Sequence, residues 1–338
     1  MKQVGRELGV RYVLEGSVRK SGGRVRIAAQ LVEAATGNHI WAERYDRELA
    51  DIFALQDEIT ERVAATIEPE LYAAKHFRSQ RKPPESLDAW ECVIRALSFI
   101  GQGTRAGTGE AEALCRRAVA IAPNYGQAHS LLAWVLLRGQ MWSRDLRTVV
   151  QEARAEARIA IGLDERDPWA HLTHGTVLWR MRHHNEAVRA YRRALDLNPN
   201  FPLAHACLGM PLAVQGAHNE SVGCVQNALR LSPRDRLVGA QASYSMAIAH
   251  FAAERYPDCM ASARETIERY PEYLPGHSLL VAAAAMTGDT EAAAEALAAL
   301  LRLRPEYSLS WARENAPHSG GTLERSLEGL RRAGLREE

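Results

Sequence analysis

The sequence predicts a mainly α fold: a right-handed α-solenoid of about six helix pairs with a C-terminal capping helix, preceded by a small, incomplete α/β domain with a three-stranded meander. Three observations predict it. The stretch 169–199 holds two helical patterns joined by a polar break, and it recurs: Gly175, Ala194, Leu197 and Pro199 return 34 residues later as Gly209, Ala228, Leu231 and Pro233. A fixed period of that size marks stacked repeats. Each half of the unit is roughly a dozen residues, marginal as an isolated helix, and its apolar stripe is covered only when the next copy stacks on it. Before residue 75 the apolar residues alternate instead, as in strands.

From the beginning, Gln3–Leu8 reads as the end of a helix with Gly9 as its stop. Tyr12–Lys20 reads as a strand, Ser21, Gly22 and Gly23 as a turn, and Arg24–Glu33 as a second strand. In that second strand Val25, Ile27, Ala29 and Leu31 share one face, and Arg24, Arg26 and Gln30 the other. After the turn Ala35–Asn38, His39–Tyr45 is a third strand, and Asp51 caps a helix presenting Ile52, Leu55, Ile59, Val63 and Ile67 on one side up to Pro69. Phe77–Ser86 is a basic linker in which Pro83 and Pro84 favour extended backbone.

Six repeats fill 87–310. The first ends at Pro123, with Ala111, Cys115 and Ala118 in phase. The second runs to Glu165, eight residues beyond the period, so the Gly139–Val150 connection is enlarged. The third and fourth are the clean pair. The fifth ends at Pro271 with about four residues inserted near Asp235–Gln241, and the sixth ends at Pro305. Trp311 and a helix over Thr322–Ala333 form a capping region, 311–338, over the last open face.

The spacing of Gly175, Ala187, Tyr191, Ala194 and Pro199 resembles the tetratricopeptide repeat, and Gly209, Ala228 and Pro233 match it again with Ser221 where a small Ala is usual. Residues 1–75 resemble the second half of a TolB-like α/β domain; the sequence opens in mid-element, without that domain's first half. In bacterial regulators such a domain precedes tetratricopeptide repeats and follows a class III adenylate/guanylate cyclase domain or a winged-helix DNA-binding domain. The resemblance therefore implies the regulatory C-terminal portion of such a protein, acting in cAMP signalling or transcription control.

Composition narrows function further. A formal charge of +1, from 42 Lys and Arg against 41 Asp and Glu, argues against nucleic-acid binding. Five scattered cysteines without a CxxC motif read as reduced core thiols, and no apolar run is long enough to span a bilayer. Together they predict a cytoplasmic chain, or a periplasmic one if a membrane segment precedes it; that it is bacterial is what the resemblance implies.

No GxSxG, GxxxxGK[ST] or HExxH occurs, so no catalytic residue, cofactor-binding residue or metal ligand is assigned. His129, His171, His205 and His277 occupy one phase of four first helices, separated by whole repeats. Equivalent positions of packed helices lie roughly 10 Å apart, too far to share a zinc ion that binds at about 2 Å. Gly101, Gly103, Gly107 and Gly109 read as a loop between two helices rather than a phosphate cradle.

In tetratricopeptide proteins the first helix of each repeat lines a concave groove. Carried over, that resemblance gives Trp134, Leu137, Trp169, Leu172, Thr176, Trp179, Met210, Tyr244, Ile248 and Phe251 as partner-binding residues, without the Lys and Asn of a carboxylate clamp. The expected function is a non-catalytic protein–protein interaction and regulatory scaffold. It binds an apolar peptide or helix and couples that event to an effector domain, with homo-oligomerisation through the incomplete α/β domain as a further expectation.

Overall fold

The computed structural model describes residues 12–21, 24–34, 37–48, 87–142 and 145–338. They fall in two compact units, residues 1–82 and 83–338. The helices expected at Gln3–Leu8 and after Asp51, and the linker Phe77–Ser86, lie outside the described residues.

In the first unit β1 (Tyr12–Ser21), β2 (Arg24–Glu33) and β3 (His39–Glu48) form an antiparallel sheet in the order β1-β2-β3. Leu14 faces Leu31 and Val18 faces Ile27 across the first pair, and a register shift at Leu31/Val32 interrupts the second. The alternation holds at the start of β2, where Val25 is buried between exposed Arg24 and Arg26. Arg26 Nε donates to Asp46 Oδ1 at 2.6 Å across to β3.

The second unit is a tetratricopeptide-like solenoid of six helix hairpins. They are α1 (Ala89–Ile100) with α2 (Arg105–Ile121), α3 (Gly126–Gly139) with α4 (Leu146–Leu163), and α5 (Pro168–Arg180) with α6 (His184–Leu197). There follow α7 (Pro202–Val214) with α8 (His218–Leu231), α9 (Arg236–Ala252) with α10 (Tyr256–Arg269), and α11 (Leu274–Thr287) with α12 (Thr290–Leu303). A short α13 (Leu309–Asn315) leads to the capping helix α14 (Gly320–Arg332). Asp88, Asp167, Asp235 and Asp289 accept from backbone N–H groups at the helix starts, and Asp88 with Glu91 completes a capping box.

One expectation changes. Gly107 and Gly109 lie inside α2, because Thr104 accepts from Gly107 N and starts the helix earlier than the glycines suggest. The residues inserted in repeat five, to which the sequence assigned no structure, lengthen a helix: α9 has 17 residues where α5 and α7 have 13, one additional turn.

Small residues let the paired helices approach. A Cβ on Gly175 would stand 2.8 Å from two ring carbons of Tyr191, which is wholly buried. In the next repeat Ser221 replaces the usual Ala and donates to Gly209 O at 2.7 Å, so its hydroxyl is satisfied inside the contact. The cap uses the same device: a Cβ on Gly329 of α14 would meet Ala282 O at 2.5 Å and its Cα at 2.8 Å. Backbone cannot yield as a flexible side chain would.

Gly329→Ala should therefore cost roughly 1–3 kcal/mol and lower the thermal midpoint by several degrees in a circular-dichroism melt. Gly223→Ala is the contrasting case. Its Cβ would meet nothing within 4 Å on α8, so relief of glycine's helix penalty should add about 0.5–1 kcal/mol.

Candidate functional site

The first helices face inward around a cavity of about 930 Å³, its open mouth included. From α3 come Trp134, Leu137 and Arg138, followed by Met141 in the short 3-10 turn Gln140–Trp142; from α5 come Thr176, Trp179 and Arg180. The spacing i, i+3, i+4 selects one face of each helix. Cys207, Met210, Gln241, Tyr244, Tyr273 and Tyr307 continue the wall.

The two ends of the solenoid meet across this cavity. The Arg138 guanidinium lies 4.9 Å from the ring centre of Tyr270 and 5.4 Å from that of Tyr273. Arg105 N donates to Glu272 Oε2 at 2.6 Å, and Arg304 Nη1 donates to Met141 O at 2.6 Å. Gly103, at φ +69°, packs where a Cβ would overlap the Tyr270 ring. Repeats one and two thus touch repeats five and six.

The segment joining α13 to α14 borders the cavity, supplying Ala316, Pro317 and His318 to its lining. Arg180 Nη2 donates to Asn315 O at 2.8 Å, and Arg182 donates through Nε to Ala316 O at 3.0 Å and through Nη2 to Arg313 O. His184 Nε2 lies 2.9 Å from Pro317 O. Four consecutive hairpin turns place a left-handed residue at the equivalent position, the middle interval lengthened by the four inserted residues of repeat five: Arg182, Gly216, Glu254 and Gly288. Glycine accepts that conformation freely, whereas a side chain there costs about 1 kcal/mol. Both non-glycine positions contact the C-terminal region, since Glu254 Oε1 lies 3.6 Å from Arg325 Nη1 on α14. Strain is thus kept at the two turns whose side chains hold the C-terminus.

Of the ten residues expected to contact a partner, Trp134, Leu137, Thr176, Trp179, Met210 and Tyr244 line the cavity. The other four are used elsewhere. Trp169, in the first turn of α5, sits 5.1 Å from the Phe201 ring; Phe251 meets Tyr256 edge-on within its own hairpin; Leu172 and Ile248 are fully buried between helices. Arg138 and Arg180 were missed by the sequence reading, because basic residues in a helix's last turn are ordinary complements to the helix dipole. A signal existed, since they stand 42 residues apart, the interval that separates His129 from His171.

Electrostatics set this wall apart from a plain apolar groove. Among its described lining residues there is no Asp or Glu, while Arg138, Arg180 and His318 contribute cationic or basic groups. Burial pushes the Arg180 guanidinium below its usual range and the Tyr307 phenol up to about 12. Burial also draws the His318 imidazole down to about 3, with Arg182 and Arg180 adding repulsion, so the ring is neutral at physiological pH.

The four in-phase histidines brace backbone. His129, His171, His205 and His277 each set Nε2 at 2.8–2.9 Å from the carbonyl six residues earlier, those of Pro123, Glu165, Pro199 and Pro271. Among the described residues no group of three or more His, Cys, Asp or Glu is arranged to hold a metal ion. Cys92, Cys115, Cys207, Cys224 and Cys259 are free thiols, and burial raises Cys224 to about 11. No described helix is long and apolar enough to cross a membrane.

Comparison with known proteins agrees with this architecture. The tetratricopeptide repeat family model matches residues 172–236. Over 192 residues, 56% of this chain, the sequence is 36% identical to a protein of Rhizobium meliloti (strain 1021) named "Putative adenylate cyclase 3"; the aligned region spans 33% of that relative's length. Human IFIT1, solved as a dimer with m7Gppp-AAAA, superposes with a TM-score of 0.52 at 12% identity, over 65% of this chain and 50% of that one. The APC/C hetero-tetramer Cut9–Hcn1 superposes with a TM-score of 0.51 at 14% identity, over 77% and 46%. At such identities the shared property is the fold.

Arg182→Gly removes both the strain and the donors to Arg313 and Ala316. Limited proteolysis should then cut faster within 313–319, while the melting midpoint of the solenoid stays level or rises. The buried histidines predict acid sensitivity. His318, His184 and His277 all have folded values below their unfolded 6.5, so the stability of the neutral form is complete above about pH 6.5 and is lost as pH falls toward 3. Urea midpoints should decline between pH 6.5 and 4, with His318 contributing up to about 1.4 kcal/mol per pH unit, and His318→Asn should flatten the decline.

Proposed function

We propose that this chain is a non-catalytic interaction scaffold whose inner face receives an apolar segment of a partner protein and couples that event to an effector domain. The observation that carries the reading is the manner in which Arg180, Arg182 and His184 hold backbone carbonyls of 313–317. Carbonyls are common to every sequence, so these donors suit any chain laid along the same path, while Ala316, Pro317 and Trp311 show the size of side chain that the wall admits. The chain's own segment is then the resting occupant, and a partner exchanges with it. A tethered segment competes at an effective concentration on the order of millimolar, which sets a threshold for the incoming partner.

The effector we assign is a nucleotidyl cyclase. Identity of 36% to a protein named as an adenylate cyclase supports it. The N-terminal sheet, in a stretch resembling half of a TolB-like domain, is in this reading the element between effector and solenoid. Catalysis belongs to that effector, and this chain supplies regulation.

Trp311→Ala loosens the segment from its own side, because Trp311 packs 4.7 Å from the Tyr307 ring and leaves repeat three untouched. A fluorescent peptide of residues 308–319 should bind this variant at least about tenfold tighter than wild type; equal uptake by both would sink the exchange reading. Purified chain given ATP or GTP with Mn²⁺ should form cyclic nucleotide only at background, and sustained turnover would place catalysis in the chain itself.

A further inference from the structure

The cavity bordered by 315–318 has a surplus of donors. Arg180 Nε, Trp134 Nε1, Trp311 Nε1 and both ring nitrogens of the neutral His318 are buried without a hydrogen-bond partner among the described residues, four donors against one acceptor, and all four side chains belong to its wall. The wall's hydroxyls do not relieve them. Tyr307 Oη donates to Ser278 Oγ, Tyr191 Oη donates to Thr176 Oγ1, and Thr176 Oγ1 donates in turn to Leu172 O. Buried N–H groups in native proteins are nearly always satisfied, so several in one wall point to an acceptor that belongs there.

Charge points the same way. Arg180 is surrounded by Tyr244, Tyr273, Tyr307 and Arg182, with no carboxylate among the groups that influence it. Arg138 lies over the faces of Tyr270 and Tyr273, a stacking mode that leaves the guanidinium edge open to an anion. Tyr273 neighbours both cations, which therefore address one region of the cavity. A buried cation with no counter-charge is costly, and a guest carrying the missing charge would remove that cost. The rest of the wall, with Trp134, Trp179, Met210 and Tyr244, is aromatic and apolar.

We infer that this cavity is a binding site for a small organic anion, an aromatic or apolar body bearing a carboxylate or phosphoryl group, with Arg138 and Arg180 as the anion-binding residues. The site is the cavity that this segment borders, and a guest there goes beyond the exchange of segments described above. Its guest sits in place with 313–318 closed, and Arg180, which also donates to Asn315 O, touches both.

Four naphthalene probes differing only in the head group test this on the full chain by isothermal titration: 1-naphthoate, 1-naphthyl phosphate, 1-naphthalenemethanol and 1-naphthylmethylamine. One-to-one binding of at least one anion is expected, with the alcohol and the amine weaker by at least about tenfold; the stronger anion identifies the head group. Arg138→Met and Arg180→Met, which retain the apolar stem, should each weaken that anion by about tenfold or more while the chain still folds, as a cooperative melt shows. A melt run beside each titration separates lost binding from lost fold. Equal affinity for the alcohol, undiminished binding by both folded Arg variants, or no binding of either anion at millimolar concentration would each overturn the inference. Failure here leaves peptide uptake by Trp311→Ala unaffected, so the two readings fall separately.

Discussion

Close approach between the two helices of each hairpin is the constraint on which everything else depends. Helices of 13 or 14 residues have too little internal stability to stand alone, and contact with neighbours on both sides holds them. Gly175 under the Tyr191 ring and Gly209 against Ser221 set that distance in the two clean repeats. The same logic repeats at the end of the chain, where Gly329 lies on the backbone of Ala282 and lets α14 seal the last hairpin. Hairpins packed by such local fits form a wall whose two ends meet.

Much of this was legible in the sequence. Period, hairpin count and cap follow from Gly, Ala and Pro recurring in phase, since each has a steric reason to be where it is. The shared phase of the four histidines was legible too, but not what it is for: each ring braces the turn before its own helix. The additional turn of α9 was visible as a number of residues but not as helix, because a length difference alone does not say whether it extends a helix or a loop.

What escaped the sequence was long-range. The contacts of Arg182 with Arg313 and Ala316 join residues more than 130 positions apart, and no periodicity connects them. The left-handed turn at Arg182 was hidden for a different reason. Its equivalents Gly216 and Gly288 announce themselves as glycines, whereas an arginine in that conformation does not. The site residues divide in the same way. Thr176 and Trp179, carried over from the tetratricopeptide resemblance, line the cavity, while Trp169 and Phe251, carried over in the same way, pack against Phe201 and Tyr256. Arg138 and Arg180 carry the charge that makes the wall more than greasy, and their significance lies in what the lining lacks.

An ordinary solenoid is open-ended, and copies can be gained or lost at either end without disturbing the middle. This one has forfeited that freedom. With Arg105 bonded to Glu272 and Arg304 to Met141, its circumference is fixed like that of a hooped barrel. Inserting or deleting one 34-residue unit would part both joints at once. Variation in such a chain is therefore confined to what each stave carries on its faces, and the number of staves is inherited whole.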